Sequence, residues 1–461
     1  MKYLNIFFKD QIIRSESLYL KKNPSADLIF NSASSILNFI DKEFNKKKFL
    51  FFCGPGNNGN DGKRVCDLNS KINFFKLVEV NKNFEISKLL IKQIKECDII
   101  IDAIFGFGLN RKLEKNIEEI ILGINRSNKT VISLDLPSGI DVDSGKIFNV
   151  AVKSDITLAL GFYKPCHFLN PGKNYCGRKK LLKLNLPLPP KNKINIKIID
   201  KNFITKNRVK VKYDIHKYNK GSVLIYGGKM SGASRLSALS ARRIGAGLSR
   251  INVDEENLKF YGGCEPGTIL SCSKEINFEK INSIVIGPGL GKDYNKKRVI
   301  NILKLTNLPI VLDADALNIF ENSKKELFEA LKNRKMNILT PHHGEFKKLF
   351  EFDGKSKIHD ALEAAKITAS IVVYKGNDTV IATPKGDVWI NINARNSLAT
   401  AGTGDILTGL IAGLIAQGRK LVEACITANW ILGDMSQNKN NMIAEDFVDQ
   451  INFYNNCLNN N

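Results

Sequence analysis

The sequence predicts an α/β protein with two doubly wound domains, and three observations support this prediction. The chain has 461 residues, which is more than one hydrophobic core usually serves. Short apolar runs alternate with amphipathic segments, a pattern typical of parallel strands joined by helices. A proline- and lysine-rich stretch at 184–212 interrupts the alternation. We therefore predict one domain over residues 1–190 and a second over residues 200–461.

Five buried strands are predicted in each half. In the N-terminal half they are residues 49–53, 76–80, 98–105, 130–136 and 155–160. In the C-terminal half they are residues 222–228, 283–289, 308–317, 336–341 and 370–376, with helices at 232–245 and 405–417 among those between and after them. The two halves share no self-similarity, which indicates two different domains. Ligands of such sheets bind beyond the carboxyl ends of the strands, so the polar residues that follow these strands are the candidate site residues.

Composition narrows the class of protein. Hydrophobic residues make up 43% and charged residues 25%, as in globular, core-forming chains. The net charge of +23 comes from lysines spread along the whole chain, which we interpret as solvated surface and not as a nucleic-acid face. It still favours anionic small molecules. We predict no nucleic-acid partner, no membrane segment and a homo-oligomer. The nine cysteines form no CxxC pair, so we expect no zinc site and no disulfides. We also expect a cytoplasmic location.

The loop "CGPGNNGNDG" (53–62) follows the first strand and fits two standard motifs poorly. Gly54, Gly56 and Gly59 have the spacing of a dinucleotide-binding fingerprint, with an acidic residue twenty positions beyond the last glycine. A phosphate loop would need one residue fewer before the final glycine, and Arg64 stands where it requires Ser or Thr. Asp61 would repel a pyrophosphate. The side-chain oxygens of this loop suit a hard cation or sugar hydroxyls better.

Two further strand ends are rich in oxygen ligands. "IDAIFGFGL" (101–109) places Asp102 before a glycine turn, and "LDLPSGIDVDSG" (134–145) places Asp135 and Ser138 after a strand. Either motif alone could be turn chemistry, since Asp, Ser and Gly favour such loops for backbone reasons. Three such strand ends in one domain favour a shared site.

Together these segments, over roughly residues 10–185, resemble the NAD(P)H-hydrate epimerase domain, which interconverts R and S hydrates on a Rossmann-like three-layer sandwich. The resemblance implies a K⁺ ion held by Asn58, Asp102 and Ser138, and Asp135 as the acid–base group. It implies substrate binding by Asn57, Asn58, Gly59, Asn60, Asp61, Gly106, Phe107, Gly108, Leu109, Asn110, Arg111 and Lys112. Asn60 stands where the family has Gly, and Phe107 where it has Thr. The alternative is a non-catalytic binding module.

In the C-terminal half, "ARNSLATAGTGDILTGLIAGLIAQG" (394–418) joins a glycine-broken loop to a long apolar helix. The amides of Gly402, Thr403 and Gly404 lie at the positive end of this helix and can form a cradle for a transferring phosphoryl group. Asp405 can accept the proton of a hydroxyl that attacks the phosphorus. The alternative is that Asp405 is the N-cap of the helix.

This stretch, with "VIGPGLG" (285–291), "VLDADALN" (311–318) and "LTPHHGEFKKL" (339–349), resembles the ADP/ATP-dependent NAD(P)H-hydrate dehydratases of the ribokinase-like superfamily, which are three-layer sandwiches. The likeness spans roughly residues 205–455. It implies a nucleotide site at Lys375, Gly376, Asn377, Asp378, Thr379 and Gly404, and a hydrate pocket lined by Ala233, Gly289 and His342. His342 could instead be structural, and its neighbour His343 replaces a family proline. Phosphoryl transfer implies Mg²⁺ with the nucleotide, ADP or ATP.

The order of the two domains resembles the bifunctional NAD(P)H-hydrate repair enzymes. The substrates would be hydrated NADH and NADPH (NADHX and NADPHX). Phosphorylating the added hydroxyl of the S form makes it a good leaving group, which the ring nitrogen's lone pair can expel to regenerate NAD(P)H. The alternative is a ribokinase-superfamily kinase of a small molecule, such as a vitamin precursor, with a non-catalytic N-terminal nucleotide-binding domain.

Overall fold

A computed structural model describes residues 5–69, 71–82, 84, 86–189, 194–201, 220–352, 354–437 and 441–459. The chain divides into two compact units, Met1–Asn192 and Lys193–Asn461. Each unit has its own largely parallel sheet with helices between the strands, so the predicted α/β class with two doubly wound domains is confirmed. Among the helices that these residues form, none is long and apolar enough to cross a membrane.

The first unit is built on a parallel sheet. Its strands are β2 (Lys48–Cys53), β3 (Phe74–Glu79), β4 (Ile99–Ala103), β5 (Thr130–Leu134), β6 (Ile156–Leu160) and β7 (Arg178–Leu182), after a two-residue strand β1 (Asn5–Ile6). Its helices are α1 (Lys9–Lys22), α2 (Leu28–Glu43), α3 (Asn57–Leu68), α4 (Lys88–Glu96) and α5 (Lys115–Arg126). The spatial order is β3-β2-β4-β5-β6-β7.

Both faces of this sheet are buried, which explains why its strands are continuous apolar runs. Along β2, Phe49 and Phe51 face a cluster that includes helix α2, whereas Leu50 and Phe52 face the cluster of α4 and α5. Counted from β2, the strand order is 2-1-3-4-5-6, unlike the 3-2-1-4-5-6 order of the dinucleotide-binding fold. The order reverses between β2 and β4, so the loops after these strands diverge and leave a crevice.

The second unit contains strands and helices in larger number. Its strands are β8 (Asn195–Ile198), β9 (Ser222–Tyr226), β10 (Leu248–Asn252), β11 (Ile269–Ser271), β12 (Ser283–Ile286), β13 (Ile310–Leu312), β14 (Asn337–Leu339), β15 (Ile371–Tyr374), β16 (Val380–Ala382) and β17 (Asp387–Ile390). Its helices are α6 (Ser231–Arg243), α7 (Lys296–Leu305), α8 (Asp315–Asn318), α9 (Lys324–Lys332), α10 (His343–Leu349), α11 (Lys357–Thr368), α12 (Thr403–Ala416), α13 (Leu421–Met435) and α14 (Ala444–Asn459).

The strands of this unit lie in the order β8-β17-β16-β15-β14-β13-β12-β9-β10-β11. All neighbouring pairs are parallel except β15–β16 and β16–β17. Strand β8 lies between the two predicted domain ranges, in the stretch 184–212, and pairs with β17. The remainder of that stretch includes residues 190–193 and 202–212, which lie outside the described residues. The chain order reverses at β9, between β10 and β12.

Helix α12 packs closely on helix α6. A side-chain carbon at Gly409 would lie 2.2 Å from the carbonyl oxygen of Ser237, and one at Gly413 would lie 2.7 Å from that of Ala241. The hydroxyl of Ser237 donates to the carbonyl of Asp405 at 2.9 Å. Small residues on both helices therefore allow this close approach, and they fix the position of the α12 N-terminus.

Candidate functional site

A cavity of about 410 Å³ lies beyond the carboxyl ends of β2, β4, β5 and β6 in the first unit. Helix α3 begins at one side of it, with Gly56 as the N-cap. A side-chain carbon at Gly54 would lie 2.0 Å from the carbonyl oxygen of Ile104, and one at Gly59 would lie 1.8 Å from that of Gly54. Packing of the loop against its neighbours therefore requires these glycines, independently of any pyrophosphate.

The walls of this cavity include most of the predicted substrate-binding residues of the first unit. These are Asn57, Asn58, Asp61, Gly106, Phe107, Gly108, Leu109, Asn110 and Arg111. Lys112 lines an adjoining cavity of about 80 Å³, which Leu109 and Arg111 share. Gly59 and Asn60 are not among the described residues that line the larger cavity. Both lie in helix α3, and Gly59 packs against the backbone of Gly54.

The three predicted cation ligands form one connected cluster. The fully buried carboxylate of Asp102 accepts hydrogen bonds from the Ser138 hydroxyl at 2.6 Å and the Ser138 amide at 2.9 Å. The carbonyl of Phe105 accepts from Ser138 Oγ at 3.3 Å and from Asn58 Nδ2 at 3.1 Å. Burial raises the pKa of Asp102, and the hydrogen bonds from Ser138 oppose this rise.

Asn58 Oδ1 is a buried oxygen with no hydrogen-bond donor among the described residues. A buried polar atom is normally satisfied. The unmet oxygen, beside a buried carboxylate and a serine hydroxyl, is the chemistry that a hard monovalent cation would complete. The residues present therefore fit the predicted K⁺ ion.

Asp135 is held at the cavity wall by a lysine that the sequence analysis did not single out. Its backbone has φ +62°, a conformation that is uncommon outside glycine. Lys164 Nζ donates to Asp135 Oδ1, to the carbonyl of Leu160 at 3.0 Å and to that of Phe162 at 3.0 Å. Lys164 follows the end of β6, so the strand-end rule applied to "GFYKPC" (161–166) would have found it.

Two more carboxyl groups line the same cavity. Burial, with the nearby charges of Asp135 and Glu16, raises the pKa of Asp61 to about 8. Burial likewise raises the pKa of Glu16, which belongs to α1 and was not predicted as a site residue. Asp61 is therefore largely protonated at neutral pH, so it does not repel an anion there as the sequence suggested.

In the second unit, helix α12 begins at Thr403 and its N-cap is Gly402, with φ +93°. Asp405 is thus the third residue of the helix, and the alternative that it is the cap is wrong. A side-chain carbon at Gly402 would lie 2.7 Å from Ala444 Cβ and 2.8 Å from Leu236 Cδ1, so glycine is required there for packing as well. The Thr403 hydroxyl donates to the carbonyls of Leu398 and Thr400, both at 3.0 Å. The first amides of an α-helix have no acceptor within the helix itself, so those of α12 are suited to meet a ligand.

Asp405 lies in a group of charges that the fold brings together. Burial, and next the charge of Asp313, raises the pKa of Asp405 to about 7, and Lys375 opposes this rise. Lys375 Nζ lies 2.6 Å from Oδ1 of Asp313. The other carboxylate oxygen of Asp313, Oδ2, accepts a hydrogen bond from Thr408 Oγ1 at 2.9 Å. A side-chain carbon at Gly404 would lie 3.4 Å from Lys375 Nζ. Gly404, Asp405 and Lys375 therefore lie together, next to Asp313, which the sequence analysis did not single out.

The remaining residues of the 375–379 loop hold the loop itself. Asp378 Oδ1 accepts from Lys357 Nζ at 2.6 Å. Thr379 Oγ1 donates to the Gly376 carbonyl at 2.7 Å and accepts from the Gly376 amide at 3.1 Å. Asn377 Nδ2 donates to Asn396 Oδ1 at 3.0 Å. These contacts shape the turn, in which Gly376 and Asn377 are exposed.

Of the three predicted hydrate-pocket residues, Ala233 and Gly289 are neighbours, whereas His342 caps a helix. A side-chain carbon at Gly289 would lie 3.2 Å from Ala233 Cβ, so these two are neighbours at the reversal of strand order. His342 is the N-cap of α10: its Nδ1 accepts from the amides of Gly344 at 2.9 Å and Glu345 at 3.3 Å. The proton of its neutral ring is therefore on Nε2, which lies 3.3 Å from Glu345 Oε1. His342 thus has the structural role that the sequence left open, and its half-exposed ring also leaves one edge accessible.

The fold defines a two-domain α/β protein with a polar site beyond the strand ends of each domain. The model of the NAD(P)H-hydrate dehydratase family matches residues 223–449, and that of the YjeF-related protein N-terminus matches residues 63–166. The bifunctional NAD(P)H-hydrate repair enzyme of Dictyoglomus turgidum is 32% identical, over 89% of this chain and 88% of that protein. The enzyme of the same name from Coxiella burnetii is 30% identical, over 81% of each.

The chain belongs to the family of bifunctional NAD(P)H-hydrate repair enzymes. Among solved structures, the ADP/ATP-dependent NAD(P)H-hydrate dehydratase of Bacillus subtilis, crystallised with ATP and Mg²⁺, is 26% identical. It covers 55% of this chain and 95% of its own, with a TM-score of 0.47. Since the relatives are repair enzymes over both domains, the vitamin-precursor kinase alternative is not supported.

Proposed function

We propose that the second unit phosphorylates the added hydroxyl of the S hydrate of NADH or NADPH, and that the phosphorylated hydrate then eliminates phosphate to regenerate the reduced cofactor. The observation that carries this proposal is the placement of Asp405. Its carboxylate stands in the first turn of α12, beside amides that carry the positive end of the helix dipole. With a pKa near 7, caused by burial, it can take a proton from a hydroxyl at neutral pH.

Lys375 supplies the positive charge of this site. Burial alone would lower the pKa of Lys375, but the charges of Asp313 and Glu345 together raise it, so the ammonium stays protonated. A fixed ammonium next to the amide cradle stabilises the negative charge that develops on a transferring phosphoryl group. The side chain of Lys375 is 17% exposed, so a nucleotide can reach it from the solvent side.

Mg²⁺ would enter this site with the phosphates of ADP or ATP. Within the described residues there is no group of three His, Cys, Asp or Glu side chains placed to hold a metal ion. Magnesium at such sites is usually held by substrate phosphates, waters and one or two carboxylates. When bound, Mg²⁺ neutralises charge on the phosphates.

For the first unit we propose interconversion of the R and S hydrates in the cavity between the 57–61 and 106–111 segments, with Asp135 as the acid–base group. Asn58, which lines the cavity, would hold K⁺ together with the fully buried Asp102 and Ser138, and the orphaned oxygen of Asn58 supports the assignment. The positive charge of the ion would favour the ionised form of the buried Asp102 carboxyl. Phe107 lines the cavity and Asn60 does not, so neither departure from the family blocks the pocket.

We also propose a cytoplasmic location, because the nine cysteines are odd in number and form no CxxC pair in the sequence. The homo-oligomeric state stays a prediction, which light scattering on the purified chain would test. The function is tested by supplying a mixed R/S hydrate with ADP or ATP in parallel and following the absorbance of reduced nicotinamide. Complete recovery requires both units. Recovery of about half of the absorbance would show that the second unit dehydrates the S hydrate but that the first unit does not epimerise the R hydrate. No recovery with the S hydrate would overturn the proposal.

A further inference from the structure

We infer that Lys164 is a positioning residue of the first unit, which holds Asp135 so that one defined oxygen of its carboxylate faces the substrate. This inference rests on the proposed epimerase function of the cavity. Lys164 and Asp135 are both part of the cavity wall. Their side chains are 1% and 6% exposed, and they form an ion pair. A buried ammonium is costly unless it is fully paired, so its placement at this wall requires an explanation.

The ammonium of Lys164 has three protons, and the protein provides three acceptors. These are Asp135 Oδ1 and the carbonyls of Leu160 and Phe162. Because every proton is committed to a protein oxygen, Lys164 has none to offer a substrate in this arrangement. It therefore acts through Asp135 and is not itself the acid of the reaction.

The two oxygens of the Asp135 carboxylate are thereby made different. Oδ1 accepts from Lys164 Nζ and, at 3.1 Å, from the amide of Leu160. Within the part of the chain that the structure describes, no hydrogen bond is made to Oδ2. The carboxylate thus has one oxygen fixed by the protein and one oxygen left to exchange a proton with the hydrate.

His167 fixes the backbone on which this pair is mounted. The Lys164 amide donates to His167 Nδ1 at 3.0 Å, so the ring proton is on Nε2 and is donated to the Asp135 carbonyl at 2.8 Å. Burial, together with the charge of Lys164, lowers the pKa of His167 to about 3, so the ring stays neutral. The imidazole thus links the backbones of both members of the ion pair and holds Asp135 in its left-handed conformation.

The test uses the full chain carrying Lys164→Gln, with Lys164→Met as the second variant and Lys180→Met as the matched control at an exposed lysine of the same unit. Glutamine still donates to backbone carbonyls but carries no charge. Epimerisation of R hydrate and dehydration of S hydrate are measured separately, each against pH. The dehydration rate reports whether the second unit of each variant is intact, and circular dichroism with thermal melting reports folding of the whole chain.

We expect Lys164→Gln to lower kcat for epimerisation about 100-fold, the scale of general acid–base catalysis, with KM nearly unchanged. The acid limb of the epimerase pH profile should move to higher pH, because a carboxylate without its cation holds a proton more tightly. Lys180→Met should change neither quantity, and dehydration should be unaffected in every variant.

A merely structural role would lower the melting temperature and the active fraction but leave the pH profile where it was, and that result would overturn the inference. If the glutamine variant does not fold, epimerisation by the folded methionine variant decides in the same way. If neither folds, normal kcat and pH profile in Asp135→Asn, with Lys164 retained, would overturn it, and a loss of at least 100-fold would support it. A wild-type chain that repairs S hydrate but not R hydrate would instead refute the proposed function of the first unit.

Discussion

Lys375 Nζ lies 2.6 Å from Oδ1 of Asp313 and 3.8 Å from Oε2 of Glu345. Lys375 is thus paired with two buried carboxylates. Asp405, which lies near them, makes no side-chain hydrogen bond to the described residues. This division of charge gives Lys375 a fixed positive role and leaves Asp405 free to accept a proton. The predictions for the second unit follow from it.

Replacing Asp405 with Asn should abolish nucleotide-dependent dehydration, with a loss of about 1,000-fold, because the site then lacks its base. Epimerisation, folding and nucleotide binding should be preserved. In the wild-type chain the dehydration rate should rise with pH up to about 7 and then level off, since burial raises the pKa of Asp405 to about 7 and the base must be ionised. Stopped-flow absorbance across pH 5–9 measures both effects, and near-normal turnover by the variant would contradict the assignment.

Asp313→Asn should lower the dehydration rate and move its acid limb to lower pH. Burial raises the pKa of Asp405 most and the charge of Asp313 comes next, so removing that charge lets the pKa of Asp405 fall. Asp293→Asn is the control, because the Asp293 side chain is 94% exposed and only distantly paired. An unshifted pH profile in Asp313→Asn would show that Asp313 does not act on Asp405.

Asn58→Ala should make epimerisation independent of K⁺. In the wild-type chain, replacing K⁺ in the buffer with a bulky organic cation should reduce the epimerase rate, since Asn58 Oδ1 is a buried oxygen without a donor in the described structure. Dehydration by the second unit provides the internal reference for each salt. A wild-type epimerase rate that is equal in both salts would refute the K⁺ site.

Asp61→Asn should stabilise the first unit at alkaline pH. Burial raises the pKa of Asp61 to about 8, above its value in the unfolded chain, so its contribution to stability is present at low pH and is lost as the pH rises through about 8. At pH 9 the variant should be more stable than the wild type by about 1–3 kcal/mol, with a smaller difference at pH 6. Chemical denaturation at the two pH values measures this. A larger difference in the free energy of unfolding at pH 6 than at pH 9 would contradict the raised pKa of Asp61.

Gly409→Ala should destabilise the second unit by about 1–3 kcal/mol, because the added carbon would lie 2.2 Å from the Ser237 carbonyl oxygen and must push α12 away from α6. Dehydration should fall, since α12 carries Asp405, and epimerisation should be retained. Gly232→Ala is the matched control: it lies in α6 with open space around it, so alanine there should be neutral or slightly stabilising. Thermal melting of both variants tests the difference.

The central strands and the helices named from the sequence could be predicted because their signals are local. Strands β2, β4, β9 and β15 are mainly apolar and are buried on both faces. Asn58 and Asp135 follow β2 and β5, and Asp102 is the second-last residue of β4. Strands β7, β8, β10, β11, β16 and β17 were not predicted. Strands β7 and β8 are short and partly exposed, with lysines among their apolar residues, so they lack a continuous apolar run.

The sequence by itself determined the α/β class, the residues at the strand ends and the glycine-rich start of the helix that carries Asp405. These depend on apolar periodicity and backbone conformation, which are set within a few residues. Only the tertiary structure decided that Gly402 and not Asp405 caps α12, that Lys164 pairs with Asp135 across 29 positions, and that Asp313 pairs with Lys375 across 62. Burial and ion pairing depend on groups far apart in the chain, so the charge states that govern the chemistry appear only when folding removes those groups from water.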